Sequence, residues 1–355
     1  MPLVAHSDLP TFRRLREEGQ DVLTVDRASQ QDIREIHIGL LNMMPDTALE
    51  ATERQFFRLV GAANSIVQIH MHPFTIEGLP RNAEARAHID RYYERFERIR
   101  AEGLDGLIVS GANVTHPNIR SEPFWEPLIE VFDWARQNVA STLCSCLATH
   151  ALIQYGYGIE RKHLGFKRWG VYSHRVVQPH HPLVSNINTR FDVPHSRFNE
   201  IFREDMERAG LRVLVESGEA GVHLAVSEDL MRVVFFQGHP EYDTVSLLKE
   251  YKREVLRYFA GEAEDYPPLP EHYFSLELCD LLNDYARKVR LARREGGAFP
   301  AFPEAALLPH IDNTWRDTAK AVFNNWLGLI YQVTGHQRSQ PFMGHIDPAN
   351  PLGLR

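Results

Sequence analysis

Short apolar runs alternate with longer amphipathic stretches through the first half of the chain. IHIGLL from Ile36, SIVQIHMHPF from Ser65, GLIVSG from Gly106 and STLCSC from Ser141 have the length and composition of buried strands. Between them, Ala48 to Val60, Ala83 to Ala101, Phe124 to Asn138 and Leu147 to Tyr155 repeat apolar positions every three or four residues, which predicts helices. Such alternation predicts a doubly wound α/β fold whose mainly parallel sheet is covered on both faces. A middle section rich in His, Pro and Asn, Gly165 to Asn199, follows. RVLVES from Arg212, GVHLAVS from Gly221 and RVVFFQG from Arg232, separated by SGEAG and SEDLM, then predict antiparallel hairpin strands.

Val245, Leu248, Tyr251, Val255 and Phe259 mark one face of a helix from Thr244 to Phe259, which Gly261 and YPPLP stop. A charged helical pattern runs from Glu277 to Arg294, GGAFPAFPEAALLP reads as loop, and Trp315 to Tyr331 is helical again. The expected organisation is an N-terminal arm (1–34), an α/β catalytic domain (35–262) and a helical C-terminal extension (263–355) packing on it, with the helical elaborations lying at the two ends.

A chain of 355 residues has room for about two domains, or one large one with an elaboration. At 43% hydrophobic and 24% charged residues it can bury a sizeable core, which excludes disordered and collagen-like classes. The net charge of −8 gives no attraction for phosphate backbones or anionic lipid, so neither nucleic acid nor membrane is an expected partner. Three cysteines, Cys144, Cys146 and Cys279, cannot build a disulfide framework. With no apolar leader at the N-terminus and no run of about 18 apolar residues, the expectation is a cytoplasmic protein.

Ligands of a doubly wound sheet bind beyond the carboxyl ends of its strands, which singles out the residues there. Cys146 ends STLCSC and precedes the helical LATHALIQYG, so its sulfur meets a helix N-terminus, where free N–H groups favour a thiolate and a nearby oxyanion. A small buried cysteine is the bland alternative, and it is the better reading for Cys144, deeper in the strand. In QGHPEYD, His239 and Glu241 project to one side of an extended segment, so the carboxylate can hold the imidazole in one tautomer while its other nitrogen serves as base.

These segments, in order IGLLNMMP, DGLIVSGA, STLCSCLATHA, GVYSHRV, VPHSRFNE, ESGEAGVHLA, GHPEYD and TWRDTAKAVFNNWL, resemble the homoserine O-acyltransferases of methionine biosynthesis over nearly the whole chain. That family is similar in fold to class I glutamine amidotransferases, with a flavodoxin-like sheet and a Cys-His-Glu triad. The resemblance implies Cys146 as the acyl-accepting nucleophile, His239 as general base and Glu241 as its orienting partner. It implies that Lys167 and Ser196 contact substrate, that Arg253 binds the amino acid carboxylate, that no cofactor or metal is needed beyond an acyl-CoA co-substrate, and that the enzyme is a homodimer. Thr47 stands where many members carry an oxyanion-site lysine, which leaves the oxyanion to backbone N–H groups such as those of Cys146 and Leu147. Thr115 occupies the acyl-donor position, where acetyl-transferring members carry Glu. An uncharged Thr would not repel a succinyl carboxylate, so homoserine and succinyl-CoA are the expected substrates, with acetyl-CoA or serine as alternatives. The segment from about Ser275 to Pro309 exceeds the family's usual connection.

Two rival readings are weaker. A glutamine amidotransferase commonly uses G-x-C-x-G, whereas the flanks here are Cys144 and Ala148. A metal site on His174, His180, His181 and His195 lacks thiolate partners and zinc-site spacing.

Overall fold

Alternation of apolar runs and amphipathic stretches becomes, in the computed structural model, which describes residues 2–63 and 66–355, a single eleven-stranded sheet. Its strands are β1 (Leu3–Ala5), β2 (Val22–Thr24), β3 (Glu35–Leu41), β4 (Gln68–Phe74), β5 (Gly106–Val109), β6 (Ser141–Ser145), β7 (Lys162–Val176), β8 (Arg190–Glu200), β9 (Arg212–Ser217), β10 (Gly221–Val226) and β11 (Val233–Phe236). The order across the sheet is β2-β1-β4-β3-β5-β6-β11-β10-β9-β7-β8. From β2 to β11 the neighbours run parallel, and from β11 to β8 they run antiparallel. The expected α/β fold with a mainly parallel sheet is therefore present.

The parallel strands are buried on both faces, which is why their sequences are near-continuous apolar runs. One face carries Ile36, Ile38, Leu40, Ile69 and Met71 against Phe56 and Phe57 of the Asp46–Ala63 helix and Phe323 and Trp326 of the Arg316–Val333 helix. The other packs Leu41, Phe74, Leu107 and Val109 against the Trp125–Asn138 and Leu147–Tyr157 helices. A third apolar cluster joins the Ser246–Phe259 and Leu276–Glu295 helices through Leu248, Tyr251, Val255, Leu282 and Val289. The Ser275–Pro309 segment thus packs on the helix that follows GHPEYD.

Several local expectations change. The run expected from Ser65 begins pairing at Gln68, and Ser65 itself lies outside the described residues. The single helix expected over Ala83–Ala101 is two, Ala83–Tyr92 and Phe96–Glu102, because Glu94 leaves the helix to bridge Phe74 at the end of β4. The N-terminal arm, expected to be helical, carries the Pro10–Glu17 and Val25–Ser29 helices but also adds β1 and β2 to the sheet edge. Much of the polar middle section forms β7 and β8, a long antiparallel pair. RVVFFQG pairs antiparallel with β10 as expected, and its other edge runs parallel to β6. That second pairing brings the ends of STLCSC and RVVFFQ side by side.

Candidate active site

The chain leaves β6 at Ser145, turns at Cys146 and enters the Leu147–Tyr157 helix at once. Cys146 sits at φ 52° and ψ −108°, a conformation that residues with a Cβ rarely adopt. Its surroundings enforce it. The Cys146 N–H donates to the Phe236 carbonyl at 2.8 Å, and the Thr149 hydroxyl reaches the Cys144 and Phe236 carbonyls, each at 2.9 Å. The thiol therefore projects from a strained strand-to-helix turn at the positive end of the helix. Gly111, beyond β5, passes alongside: a Cβ there would lie 3.7 Å from the Cys146 Cβ and 3.6 Å from the Met44 Sδ.

β11 delivers the imidazole. Gln237 locks the strand end, accepting from the Ile201 N–H at 2.8 Å and donating to the Ile201 and Val222 carbonyls at 3.1 and 3.0 Å. At Gly238 a Cβ would come within 2.7 Å of Val193 and 2.8 Å of His195, so glycine is what lets the turn approach β8. The His239 N–H then donates to the Pro194 carbonyl at 2.8 Å.

The buried His239 side chain donates from Nδ1 to Glu241 Oε1 at 2.8 Å and hydrogen-bonds the Cys146 sulfur. Burial alone would lower its pKa, but Glu241 and Cys146 override that and raise it to about 10. Glu241 Oε1 also accepts from the Ser145 hydroxyl at 3.3 Å, while its Oε2 has no hydrogen-bond partner among the described residues. Cys146, His239 and Glu241 thus form one chain, as the sequence led us to expect.

Beside it lies a second polar group centred on Glu250, a residue not singled out from the sequence. Its carboxylate accepts from Ser196 Oγ at 2.7 Å, Lys167 Nζ at 3.2 Å and Tyr242 Oη at 2.7 Å. Burial works against ionised Glu250, yet Lys167 and the two hydroxyls leave its pKa below the usual value. Burial likewise lowers the Lys167 pKa, against the attraction of Glu250. Tyr242 joins the two groups: its ring stacks on His239, centroids 4.3 Å apart, while its hydroxyl holds Glu250.

Other expected residues sit differently. Arg253 is exposed and paired with Glu254 on its own helix, although its charge still reaches Lys167. Thr115 is exposed and its hydroxyl bonds the buried Glu122 at 3.2 Å. Thr47, which stands where many members carry an oxyanion-site lysine, is exposed on the first turn of the Asp46–Ala63 helix and hydrogen-bonds no site residue among those described. The Cys146 N–H, also expected to serve there, is already committed to Phe236. The Leu147 N–H, at the start of the helix, is bonded to no acceptor among the described residues.

Arg161 was not singled out from the sequence. It is half-buried, its pKa lowered by burial and raised by Cys146 and Glu122, and it has no hydrogen-bond or ion-pair partner among the described residues. The His174–His195 group is internally satisfied: His174 Nδ1 donates to the Tyr172 carbonyl at 2.8 Å, the two rings meet at 3.1 Å, and His181 bonds the Leu230 carbonyl at 3.0 Å.

Among solved structures the chain resembles a glutamine amidotransferase from Methylobacillus flagellatus, with 12% identity over 89% of this chain and 99% of that one and a TM-score of 0.44. Proteins called homoserine O-succinyltransferase are far closer in sequence. One from Methylococcus capsulatus is 78% identical and one from Methylobacter tundripaludum 68% identical, each over 100% of both chains. With the homoserine O-succinyltransferase family model matching residues 2–336 as well, the chain belongs to the homoserine O-succinyltransferase family of acyltransferases.

Proposed function

We propose that this chain transfers a succinyl group from succinyl-CoA to the hydroxyl of L-homoserine, a step of methionine biosynthesis, through a thioester on Cys146. The observation that carries the mechanism is the Cys146–His239–Glu241 chain at a strained strand-to-helix turn. The raised pKa of His239 makes its resting form an imidazolium, which stabilises a thiolate forming on Cys146. The thiolate attacks the thioester carbonyl, the C–S bond to CoA breaks, and His239 gives its proton to the departing CoA thiolate.

Acylation removes the negative charge on Cys146, one of the causes that raise the His239 pKa, so His239 can remain neutral and act as base. It takes the homoserine hydroxyl proton as the oxygen attacks the acyl group. The Cys146 thiolate leaves and the imidazolium is restored. The Leu147 N–H at the helix start is the available donor for each oxyanion, with the backbone beside Cys146 at Gly111 as its neighbour.

Glu250 flanked by Lys167, with Arg253 at the rim, has the charge pattern that an amino acid zwitterion needs: an anion for its ammonium and cations for its carboxylate. Arg161, a guanidinium without a partner whose charge reaches both Cys146 and Glu122, favours a donor that ends in a carboxylate, and this supports succinyl over acetyl. Activity as a homodimer in the cytoplasm completes this reading, and light scattering of the purified protein tests the dimer.

Intact-protein mass after brief exposure to succinyl-CoA, and separately to acetyl-CoA, without acceptor tests the mechanism and the donor together. A succinyl adduct mapped to Cys146 is expected. An acetyl adduct alone overturns the donor, and no adduct on an alkylatable thiol overturns the mechanism.

A further inference from the structure

At the opposite end of the parallel strands lies a second cluster of imidazoles and carboxylates. Glu35 and His37 share one face of β3, His70 and His72 share the same face of the neighbouring β4, and the register pairs His37 with His70. His37 stacks on both His70 and His72, with centroids 4.7 and 5.1 Å apart. Glu94 closes one side from the break between two helices.

The hydrogen bonds set the tautomers. Glu94 can only accept, so His72 donates to it from Nδ1 at 2.6 Å and is left with a bare Nε2. That Nε2, 2.8 Å from His37 Nδ1, must accept, so His37 in turn is left with a bare Nε2 lone pair. This lone pair faces Glu35 Oε2 at 3.4 Å. His70 is nine-tenths buried, and its Nε2 has no hydrogen-bond partner while it faces Glu35 Oε1 at 3.6 Å. Acceptors converge here with nothing between them to donate. Arg338 is near enough to disfavour protonation of His37 and His70, yet it forms no ion pair with Glu35 among the described residues.

We propose that Glu35, His37 and His70 form a binding site for a divalent transition ion of the zinc type, with His72 and Glu94 orienting His37 from behind. The donor atoms all lie within 4.8 Å of one another. Bonds of about 2.0–2.1 Å in a tetrahedral site put ligand atoms about 3.3–3.5 Å apart, close to both nitrogen–oxygen separations here. Two imidazoles with one carboxylate suit zinc, and Glu35, half-exposed, leaves a fourth position open to water. His6, His72 and Glu94 are a poorer set, because the 2.6 Å contact between His72 and Glu94 is a hydrogen bond, too short for two ligands of one ion. A ligating imidazole is usually oriented by an acceptor for its other N–H, and here His72, itself fixed by Glu94, is that acceptor for His37.

Val109 pairs with both Leu41 and Cys144. Cys146 lies two residues beyond that level and His37 four residues before it, a separation of about 20 Å along the strands. The ion would be remote from the chemistry, holding the first turns of β3 and β4 together.

The test uses full-length protein with Cys146→Ala, to remove the thiol as a competing ligand, stripped by chelator and titrated with zinc chloride in a calorimeter. One equivalent is expected to bind. Adding Glu35→Gln or His70→Asn should weaken it at least about 100-fold, while Glu94→Gln should weaken it about 10- to 100-fold with stoichiometry kept. Glu35 is half-exposed, so its substitution leaves packing intact. Absence of binding at 100-fold excess zinc, binding indifferent to Glu35→Gln and His70→Asn, or binding lost only with Glu94→Gln would each overturn the proposal.

Discussion

The two ends of the parallel sheet hold the same residue types and tune them in opposite directions. At the carboxyl ends, His239 is buried between Glu241 and Cys146 and its pKa rises to about 10. At the amino ends, His37 is also largely buried, but burial together with His72, Arg338, His70 and His6 lowers it to about 2. Burial penalises the cation in both places; beside His239 the attraction of Glu241 and Cys146 outweighs it, whereas around His37 the contributions of His72, Arg338, His70 and His6 add to it.

Replacing Cys146, the proposed nucleophile, should produce the largest effect and the sharpest contrast between the two ends. Cys146→Ser should abolish the acyl-enzyme adduct and cut turnover at least about 1000-fold, whereas Glu35→Gln should leave turnover within twofold of wild type in the same steady-state assay. Loss of activity with Glu35→Gln would mean that the two ends are not independent.

Glu241→Gln tests whether the carboxylate is what sets His239 apart. Neutralising it while keeping its shape should lower kcat by up to about 10⁴-fold, as when a triad carboxylate becomes an amide, with little change in KM for either substrate. A loss confined to KM would assign Glu241 to binding instead.

Arg161→Ala and Arg253→Ala should separate the two substrate ends of the active site. A lost charge-assisted contact is worth about 1.5–3 kcal/mol, roughly 10- to 100-fold. Arg161→Ala should raise KM for succinyl-CoA by that factor and leave acetyl-CoA little affected, and Arg253→Ala should raise KM for the amino acid alone. The reverse pattern would exchange their assignments.

The smallest effect is a titration. In NMR of the free enzyme His239 should stay protonated through neutral pH and lose its proton near 10, and Cys146→Ala should move that midpoint down by removing one neighbouring anion. The stability contributed by the imidazolium should be fully present below about pH 6.5, its unfolded value, and fade as pH rises through about 10. Denaturant midpoints measured between pH 6 and 10.5 follow that loss, and a midpoint that climbs over this range would contradict the pair.

Sequence alone determined the alternating strands and helices of the core and the three residues, Cys146, His239 and Glu241, that meet at the candidate site. The runs at Ile36, Gly106 and Ser141 are strands because parallel strands buried on two faces leave an unbroken apolar signature, and Cys146, His239 and Glu241 stand at the ends of such runs. The three-residue strands β1 and β2 are too short to show a period of two, and β7 and β8 mix polar residues into their pattern because much of β7 is only partly covered. Only the tertiary structure decided that β11 lies beside β6, which sets the thiol against the imidazole. It alone brought Glu250 between Lys167 and Ser196, residues far apart along the chain. It alone also turned the histidines of β3 and β4 into one facing set, because that convergence depends on which strands become neighbours and in which register.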